Sequence, residues 1–305
     1  MLSENIDFVK TIEKLYGSRL LRNEPMEAHT TFRVGGGAAF FVTPSSLNEL
    51  ADTLLVCKEF DVPYYILGNG SNILVSDKGY DGLIIRLYNT MDQMEFDGEI
   101  VTAGCGLMLS RLANEAKNRG LSGLEFASGI PGTLGGAVFM NAGAYGGEMK
   151  DVIIDVQVMD RAGRIRTVKV SDMDFGYRKS ILGATGEIAV SARMSLNKKP
   201  IVEIEELMRD LNGRRREKQP LEYPSAGSTF KRPEGYFAGK LIEDSGLRGF
   251  RIGDAMVSTK HCGFVINAGK ATADDIKQLI DHIREKVLSD SGVELSPEVR
   301  LLGEF

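Results

Sequence analysis

Two glycine-rich stretches carry residue types able to hold a phosphate or a flat ring. Gly68-Asn69-Gly70-Ser71-Asn72 lies between the apolar runs Tyr64-Tyr65-Ile66-Leu67 and Ile73-Leu74-Val75. Bare glycine backbone lets successive N–H groups converge into a nest for an anion, and Ser71 and Asn72 add side-chain donors. Taken alone, the pentapeptide also fits a tight turn. The second stretch is Gly129-Ile130-Pro131-Gly132-Thr133-Leu134-Gly135-Gly136-Ala137. Pro131 and Gly132 shape a turn, and Thr133 is placed to cap a helix of small residues running through Phe139-Met140. Gly135, Gly136 and Ala137 withhold bulk where a ring or a phosphate approaches, although close helix–sheet packing calls for the same small residues. Asn141-Ala142-Gly143-Ala144-Tyr145-Gly146 then adds an amide, more bare backbone and an aromatic face. With Gly35-Gly36-Gly37 and the pair Gly104 and Gly106, glycine clusters recur through the first half. The expected occupant is a large anionic cofactor lying on main chain. It is not held in a Rossmann manner, because no GxGxxG opens a helix here.

Composition narrows the classes. Glycine numbers 35 of 305 residues, above the roughly 7% average, and the chain is 43% hydrophobic and 26% charged. That suffices for a sizeable core and sets a prior of about two domains at 100–200 residues each. Lys+Arg 37 against Asp+Glu 42 gives 37 − 42 = −5, without the basic footprint of a nucleic-acid binder. The run Arg214-Arg215-Arg216-Glu217-Lys218 reads as a solvated helix end. Cys57, Cys105 and Cys262 are far apart, which argues against a disulfide framework or a zinc knuckle. His29, His261 and His282 are too scattered for a metal cluster or an obvious catalytic triad. No metal is expected. No apolar run approaches eighteen residues and the start lacks signal-peptide form, so a cytoplasmic protein without membrane insertion is expected.

The elements that must position these loops follow from periodicity. Helices are predicted over 4–15, 46–60, 109–120, 201–218 and 271–289, the last from Ile276, Leu279, Ile280, Ile283 and Val287. Strands are predicted over 64–67, 72–75, 83–86, 99–103, 152–159, 164–168 and 187–192, with Asp160-Arg161-Ala162-Gly163 as a hairpin turn. The class is α+β.

These residues carry a resemblance. Thr31-Phe32-Arg33-Val34-Gly35-Gly36, the two glycine stretches with Met140-Asn141-Ala142-Gly143-Ala144-Tyr145-Gly146, Tyr177-Arg178, Ala226-Gly227-Ser228-Thr229-Phe230 and Pro297-Glu298-Val299-Arg300-Leu301-Leu302-Gly303 occur in order along nearly the whole chain. The ordered set resembles the UDP-N-acetylenolpyruvoylglucosamine reductase family, flavoenzymes of bacterial peptidoglycan precursor synthesis. The resemblance implies a two-part FAD-binding domain of the vanillyl-alcohol-oxidase-like (PCMH) type, over 1–97 and 98–200, and a C-terminal α+β substrate domain over 201–305. The cofactor-binding residues implied are Gly68, Asn69, Gly70, Ser71 and Asn72 at the pyrophosphate, then Gly129, Ile130, Pro131, Gly132, Thr133, Gly135, Gly136, Asn141, Ala142 and Gly143 beside the rest of the FAD. NADPH is the implied reducing co-substrate and a UDP-sugar the implied substrate, handled by a monomer.

The reaction implied is reduction of an enolpyruvyl ether to a lactyl ether, with hydride passing from flavin N5 to the terminal methylene carbon. Negative charge then builds on the adjacent carbon and its carboxylate, and a proton must reach that carbon. The family roles carry over to Arg178 and Glu298 as stabilisers of the enolate-like charge and to Ser228 as proton donor. Arginine suits a carboxylate through its planar fork and permanent charge. A carboxyl at Glu298 helps only if it brings a proton, and the Ser228 hydroxyl is an effective acid only where cations steady its alkoxide. Lys218 is placed near the substrate phosphates, and Tyr177 and Arg232 on the substrate side.

Two features set this chain within the family. Only residues 181–186 separate Tyr177-Arg178-Lys179-Ser180 from the next strand, so it resembles the shorter type that lacks an inserted tyrosine loop. Residues 225–236, with Tyr236 and Phe237, are then the candidate to close the site. Lys231-Arg232-Pro233 also has arginine where some relatives carry asparagine. The rival readings are an oxidase or dehydrogenase of the same flavin fold, which often tethers FAD through His or Cys, and a non-catalytic UDP-sugar-binding module.

Overall fold

Short polar side chains set where the helices begin. Asn5 Oδ1 accepts from the Phe8 N–H at 3.1 Å, so the first helix is Ile6–Tyr16. Ser46 Oγ accepts from Glu49 N–H at 3.2 Å and opens Leu47–Glu59. Thr133 Oγ1 accepts from Gly136 N–H at 3.3 Å and opens the small-residue helix Leu134–Met140. Thr272 and Asp275 cap each other reciprocally at 3.0 Å, so the last long helix is Ala273–Ser291 and stops at Gly292, φ +71. The predicted helix over 271–289 is thus shifted by this capping box.

The computed structural model describes residues 2–305. A five-stranded antiparallel sheet has the order Ile165–Lys169, Ile153–Met159, Ile188–Ser195, Ile100–Gly104 and Met94–Asp97. Its first two strands are joined by the expected turn, with Gly163 N–H donating to Asp160 O at 3.0 Å. Alternation along the strands sends Val101, Ala103, Val156, Val158, Ala192 and Met194 into one core with Leu109, Leu112 and Leu134. A four-stranded sheet has the order Leu21–Pro25, Gly37–Val42, Tyr80–Arg86 and Tyr64–Leu67, the last two running parallel.

Two compact units divide the chain. The first comprises the chain up to Leu21, Phe40–Asn69 and Gly82–Arg215. The second comprises Arg22–Ala39, Gly70–Asp81 and Arg216–Phe305. In the second unit a three-stranded sheet, Arg251–Ile252, Ala255–Val257 and Val265–Asn267, packs with Ala273–Ser291 and Ala238–Asp244 around Val257, Val265, Ile276, Leu279, Ile280 and Ile283. Phe32 and Leu74 join the same core from early in the sequence. There too, Ile73–Val75 pairs in parallel with Arg300–Leu302.

Several strands escape a reading by periodicity because they span only two or three residues, too few for alternation to register. Among the described residues no helix is long and apolar enough to cross a membrane.

Candidate functional site

The loop 68–72 presents unused backbone donors. Among the described residues, the N–H groups of Asn69, Gly70, Ser71 and Asn72 donate to no protein carbonyl. Its carbonyls are used instead: Thr31 N–H donates to Gly70 O at 3.0 Å and Arg300 N–H to Asn72 O at 3.1 Å. Anchoring a loop through its acceptors leaves its donors for an anion. Gly70 has φ +63, and a Cβ there would overlap the His29 carbonyl oxygen, so no other residue fits. Earlier in the loop, the Asn69 amide donates to Pro131 O at 2.8 Å, and a Cβ on Gly68 would lie 2.5 Å from Thr133 Oγ1. The two glycine stretches therefore meet.

Within 129–136 the glycines have different jobs. A Cβ on Gly135 would come within 3.0 Å of Cys105 Cβ, which is close packing, whereas Gly136 is exposed with only Thr133 Oγ1 at 3.6 Å. Gly129 borders Asn212 and Arg215 on the helix Ile201–Lys218, and Asn212 Nδ2 donates to Ser128 Oγ at 3.0 Å. At the other two clusters close packing also demands glycine. Side chains on Gly36, Gly104 or Gly106 would overlap the carbonyl oxygens of Asp77, Met91 and Thr90.

Asn141 is 1% exposed at φ +42, and its side chain is committed to protein groups. Its amide donates to Glu148 Oε2 at 2.9 Å and to Gly176 O at 3.2 Å, and its oxygen accepts from Lys150 N–H at 3.0 Å. The Gly176 end matters because Gly176 and Lys179 exchange both backbone hydrogen bonds, leaving Tyr177 and Arg178 at the tip of a tight turn. Arg178 is half-buried and held at φ +54, a conformation arginine seldom takes. Its guanidinium lies 5.2 Å from the Tyr177 ring centre. The Lys150 ammonium and the Asn141 amide, with the Arg178 charge beyond them, hold the Glu148 carboxyl below the usual range.

In the second unit one buried threonine ties the main chain next to Ser228 to that of Glu298. Thr229 is fully buried; its N–H donates to Gly263 O at 2.9 Å and its Oγ1 accepts from Val265 N–H at 2.9 Å. Its carbonyl accepts from Glu298 N–H at 2.8 Å, and Lys231 N–H donates to Ser296 O at 2.9 Å. Ser228, next in sequence, donates its hydroxyl to Phe230 O at 3.2 Å. The Glu298 carbonyl accepts from Asn72 Nδ2 at 3.2 Å, so this pair borders the end of the donor-rich loop.

Lys218 is exposed at the last position of its helix. Arg232 is exposed, its Nε donating to Tyr236 O at 3.3 Å and its guanidinium 4.0 Å from the Phe237 ring centre. Tyr177 and Arg178 belong to the first unit; Lys218, Ser228, Arg232 and Glu298 belong to the second. Two residues near these were missed by sequence reasoning. Gln219 Oε1 is buried without a donor. Arg215 is half-buried against Gly129, unlike its exposed neighbours Arg214 and Arg216, so the solvated-end reading of this run fails at its middle arginine. A glycine at 129 facing a basic helix end was the only available signal, and it is visible only once the two are folded together.

Comparison with known proteins agrees with this geometry. Residues 38–169 match the FAD binding domain family, and residues 219–302 match the C-terminal domain of UDP-N-acetylenolpyruvoylglucosamine reductase. The free N–H row at 69–72 and the bare face at Gly136 fit such a dinucleotide, one supplying donors to phosphate and the other room for a ring. The 4-ethylphenol oxidase from Gulosibacter chungangensis, 13% identical with a TM-score of 0.50 over 65% of this chain and 43% of that one, shares the fold. The crystal structure of the reductase from Thermus caldophilus is 37% identical with a TM-score of 0.80, covering 93% of this chain and 98% of that chain. The reductase of Agathobacter rectalis is 50% identical over 99% of this chain and 100% of its own length. On this evidence the chain belongs to the UDP-N-acetylenolpyruvoylglucosamine reductase family.

Proposed function

We propose that the protein reduces UDP-N-acetylglucosamine-enolpyruvate to UDP-N-acetylmuramate, using NADPH as reductant and FAD as carrier, in peptidoglycan precursor synthesis. When bound, FAD would supply hydride-transfer chemistry between NADPH and the substrate. The chain's own task is then to steady charge and to supply one more proton. Arg178 pairs with the substrate carboxylate as negative charge builds beside it, and its turn is fixed in advance by Asn141. The Ser228 hydroxyl gives its proton to the carbon next to the carboxylate. Glu298, with a proton, supports the same charge from its place beside Thr229.

The observation that carries this reading is the hydrogen bond from Glu298 N–H to Thr229 O, which ties the main chain next to Ser228 to that of Glu298, whose own carbonyl accepts from Asn72. Gly68, Asn69, Gly70, Ser71 and Asn72 take the pyrophosphate. Gly129, Ile130, Pro131, Gly132, Thr133, Gly135 and Gly136 flank the rest of the cofactor, with Asn141, Ala142 and Gly143 as their continuation. Lys218, Tyr177 and Arg232 bind the substrate. By role the chain divides at 97/98 and 200/201, and it works as a monomer in the cytoplasm. A covalent flavin of the oxidase kind is disfavoured, since Cys105 beside Gly135 is buried and its thiol is pushed far up by that burial.

An anaerobic titration followed by flavin absorbance tests the proposal. NADPH should bleach the bound flavin and UDP-N-acetylglucosamine-enolpyruvate should restore its colour. Ser228→Ala should leave the bleaching nearly intact and slow the recovery by about 10²–10⁴-fold. Equal loss in both steps would make Ser228 structural. Bleaching of the wild type without recovery would turn the substrate assignment toward the oxidase-like alternatives. UDP-sugar affinity without any turnover would leave a binding module.

A further inference from the structure

Beyond the helix Leu134–Met140, Gly143–Ala144 and Gly147–Glu148 pair as a small hairpin in which Glu148 lies opposite Gly143. A Cβ on Gly143 would come within 2.7 Å of both Glu148 Cγ and Gly147 O, so glycine there lets the glutamate side chain cross its partner strand. A Cβ on Gly147 would meet the Phe126 ring at 2.7 Å, which sets the hairpin close against the core. Having crossed, the Glu148 carboxyl accepts from Asn141 Nδ2 at 2.9 Å and pairs with Lys150 Nζ at 2.8 Å. Lys150 N–H donates to the Asn141 oxygen at 3.0 Å, so both ends of that buried amide are held. The second hydrogen of its nitrogen is thereby aimed at Gly176 O, 3.2 Å away.

We propose that Glu148 is the positioning residue of Arg178, acting through the Asn141 amide on the turn 176–179. This rests on the role given to Arg178 above. Gly176 opens the turn and Lys179 closes it, and Ser180 Oγ donates to Phe139 O at 2.7 Å, which ties the far side to the same helix. The near side rests on the Asn141 amide, and the amide on Glu148. Backbone strain gathers on these two segments: Asn141, Tyr145, Asp174 and Arg178 have φ of +42, +54, +46 and +54. Such conformations persist where the surroundings over-determine them, and they concentrate at functional sites. A guanidinium that must meet a carboxylate along two parallel hydrogen bonds tolerates little displacement, and a misplacement of about 1 Å costs on the order of 10²-fold in rate. Glu148 need not touch the substrate to matter. Glycine at 143 is required by the passage of Glu148, whatever lies on its other face.

The test reads flavin absorbance by stopped flow. Holoprotein reduced with NADPH is mixed with UDP-N-acetylglucosamine-enolpyruvate over a range of concentrations, which separates the limiting rate of reoxidation from half-saturation. The variants are Glu148→Ala, Glu148→Gln, Arg178→Ala, and Glu148→Ala combined with Arg178→Ala. Glu148→Ala should lower the limiting rate by about ten- to a hundredfold. Glu148→Gln keeps an acceptor for Asn141 and should recover most of it. In the Arg178→Ala background, Glu148→Ala should cost less than about twofold, because a residue acting through Arg178 has nothing left to position. Losses that multiply in the double variant would make Glu148 a general support of the fold and overturn the proposal. Glu148→Gln as slow as Glu148→Ala would assign the effect to charge and overturn the route through Asn141. If Glu148→Ala does not fold, Glu148→Asp, whose carboxyl falls one methylene short of Asn141, takes its place in the cycle. Wild-type speed in Glu148→Ala beside a slow Arg178→Ala would overturn this proposal alone. Wild-type speed in Arg178→Ala would overturn the role of Arg178 itself and this proposal with it.

Discussion

The loop 68–72 and the segment 228–230 are both held rigidly, and by opposite means. The loop works by omission: its carbonyls are tied down, its N–H groups are left over, and at Gly70 the absence of a side chain lets the backbone lie against His29 O. The segment works by commission. Thr229 uses its N–H, its hydroxyl and its carbonyl to tie its segment to Gly263, Val265 and Glu298. A binding surface for phosphate needs backbone brought close. A proton donor needs one side chain aimed. The first therefore has no tolerance for added atoms, and the second none for lost hydrogen bonds.

The most damaging way to test that contrast is to add one methyl group to the loop. Gly70→Ala combines a backbone overlap with a left-handed φ of +63 and should destabilise the protein by about 3 kcal/mol or more, as read by urea unfolding. Gly146→Ala is the control: its φ is +91 but a Cβ there has nothing within 4 Å, so only the conformational cost of about 1–2 kcal/mol applies. Equal effects at the two positions would mean that close approach is not what Gly70 provides.

The complementary test removes a hydrogen bond and keeps the shape. Thr229→Val leaves the Val265 N–H without its acceptor in a fully buried place and should cost about 1–3 kcal/mol. Thr229→Ser keeps the hydroxyl and should recover the larger part. If the contrast is right, Thr229→Val also slows flavin reoxidation by substrate more than reduction by NADPH, because it loosens Ser228 and Glu298 and touches no glycine loop.

The two regions were also unequally legible in the sequence. Glycine clusters announce themselves, and Thr133 as a cap with a helix through Met140 was readable from Ser/Thr-before-small-residues alone. What the glycines do was not readable. Gly104 and Gly36 serve backbone packing, Gly70 frees a cradle, and these uses differ only in the partner that arrives from elsewhere in the chain. Thr229 carries no local pattern at all, since its partners are Gly263, Val265 and Glu298. The ordered family motifs located Ser228 and Glu298, but not the residue that holds them. Strand Arg300–Leu302 was likewise hidden, because its pairing with Ile73–Val75 joins opposite ends of the sequence.

Arg178 stands between the two modes, a side chain proposed for chemistry on a backbone conformation that suits glycine. Its φ of +54 predicts a conflict between stability and function. Arg178→Gly should be more stable than Arg178→Ala by about 1 kcal/mol, since only glycine occupies the left-handed region without strain. Both should lose the second half-reaction to a similar degree. Thermal unfolding beside stopped-flow kinetics separates the two effects, and equal stability of the two variants would remove the strain argument.

The smallest effect expected lies at a surface pair, where neither mode operates. Arg19 and the Ser45 N–H and hydroxyl hold the Glu49 carboxyl down to about 2, from an ordinary value of 4.5. A depressed carboxyl stabilises the fold above its unfolded value and loses that contribution as pH falls from about 4.5 toward 2. Arg19 is 48% exposed at its side chain, so solvent screens the pair and the contribution at pH 7 is only about 0.5–1 kcal/mol. Glu49→Gln should therefore lower stability by that amount at pH 7 and leave it unchanged near pH 2, in urea titrations at both. In about 1 M salt the pH 7 difference should shrink, because the attraction runs partly through water. A difference that survives salt undiminished would instead assign the stabilisation to the Ser45 hydrogen bonds, at 2.6 and 2.9 Å, and so to capping of the helix Leu47–Glu59.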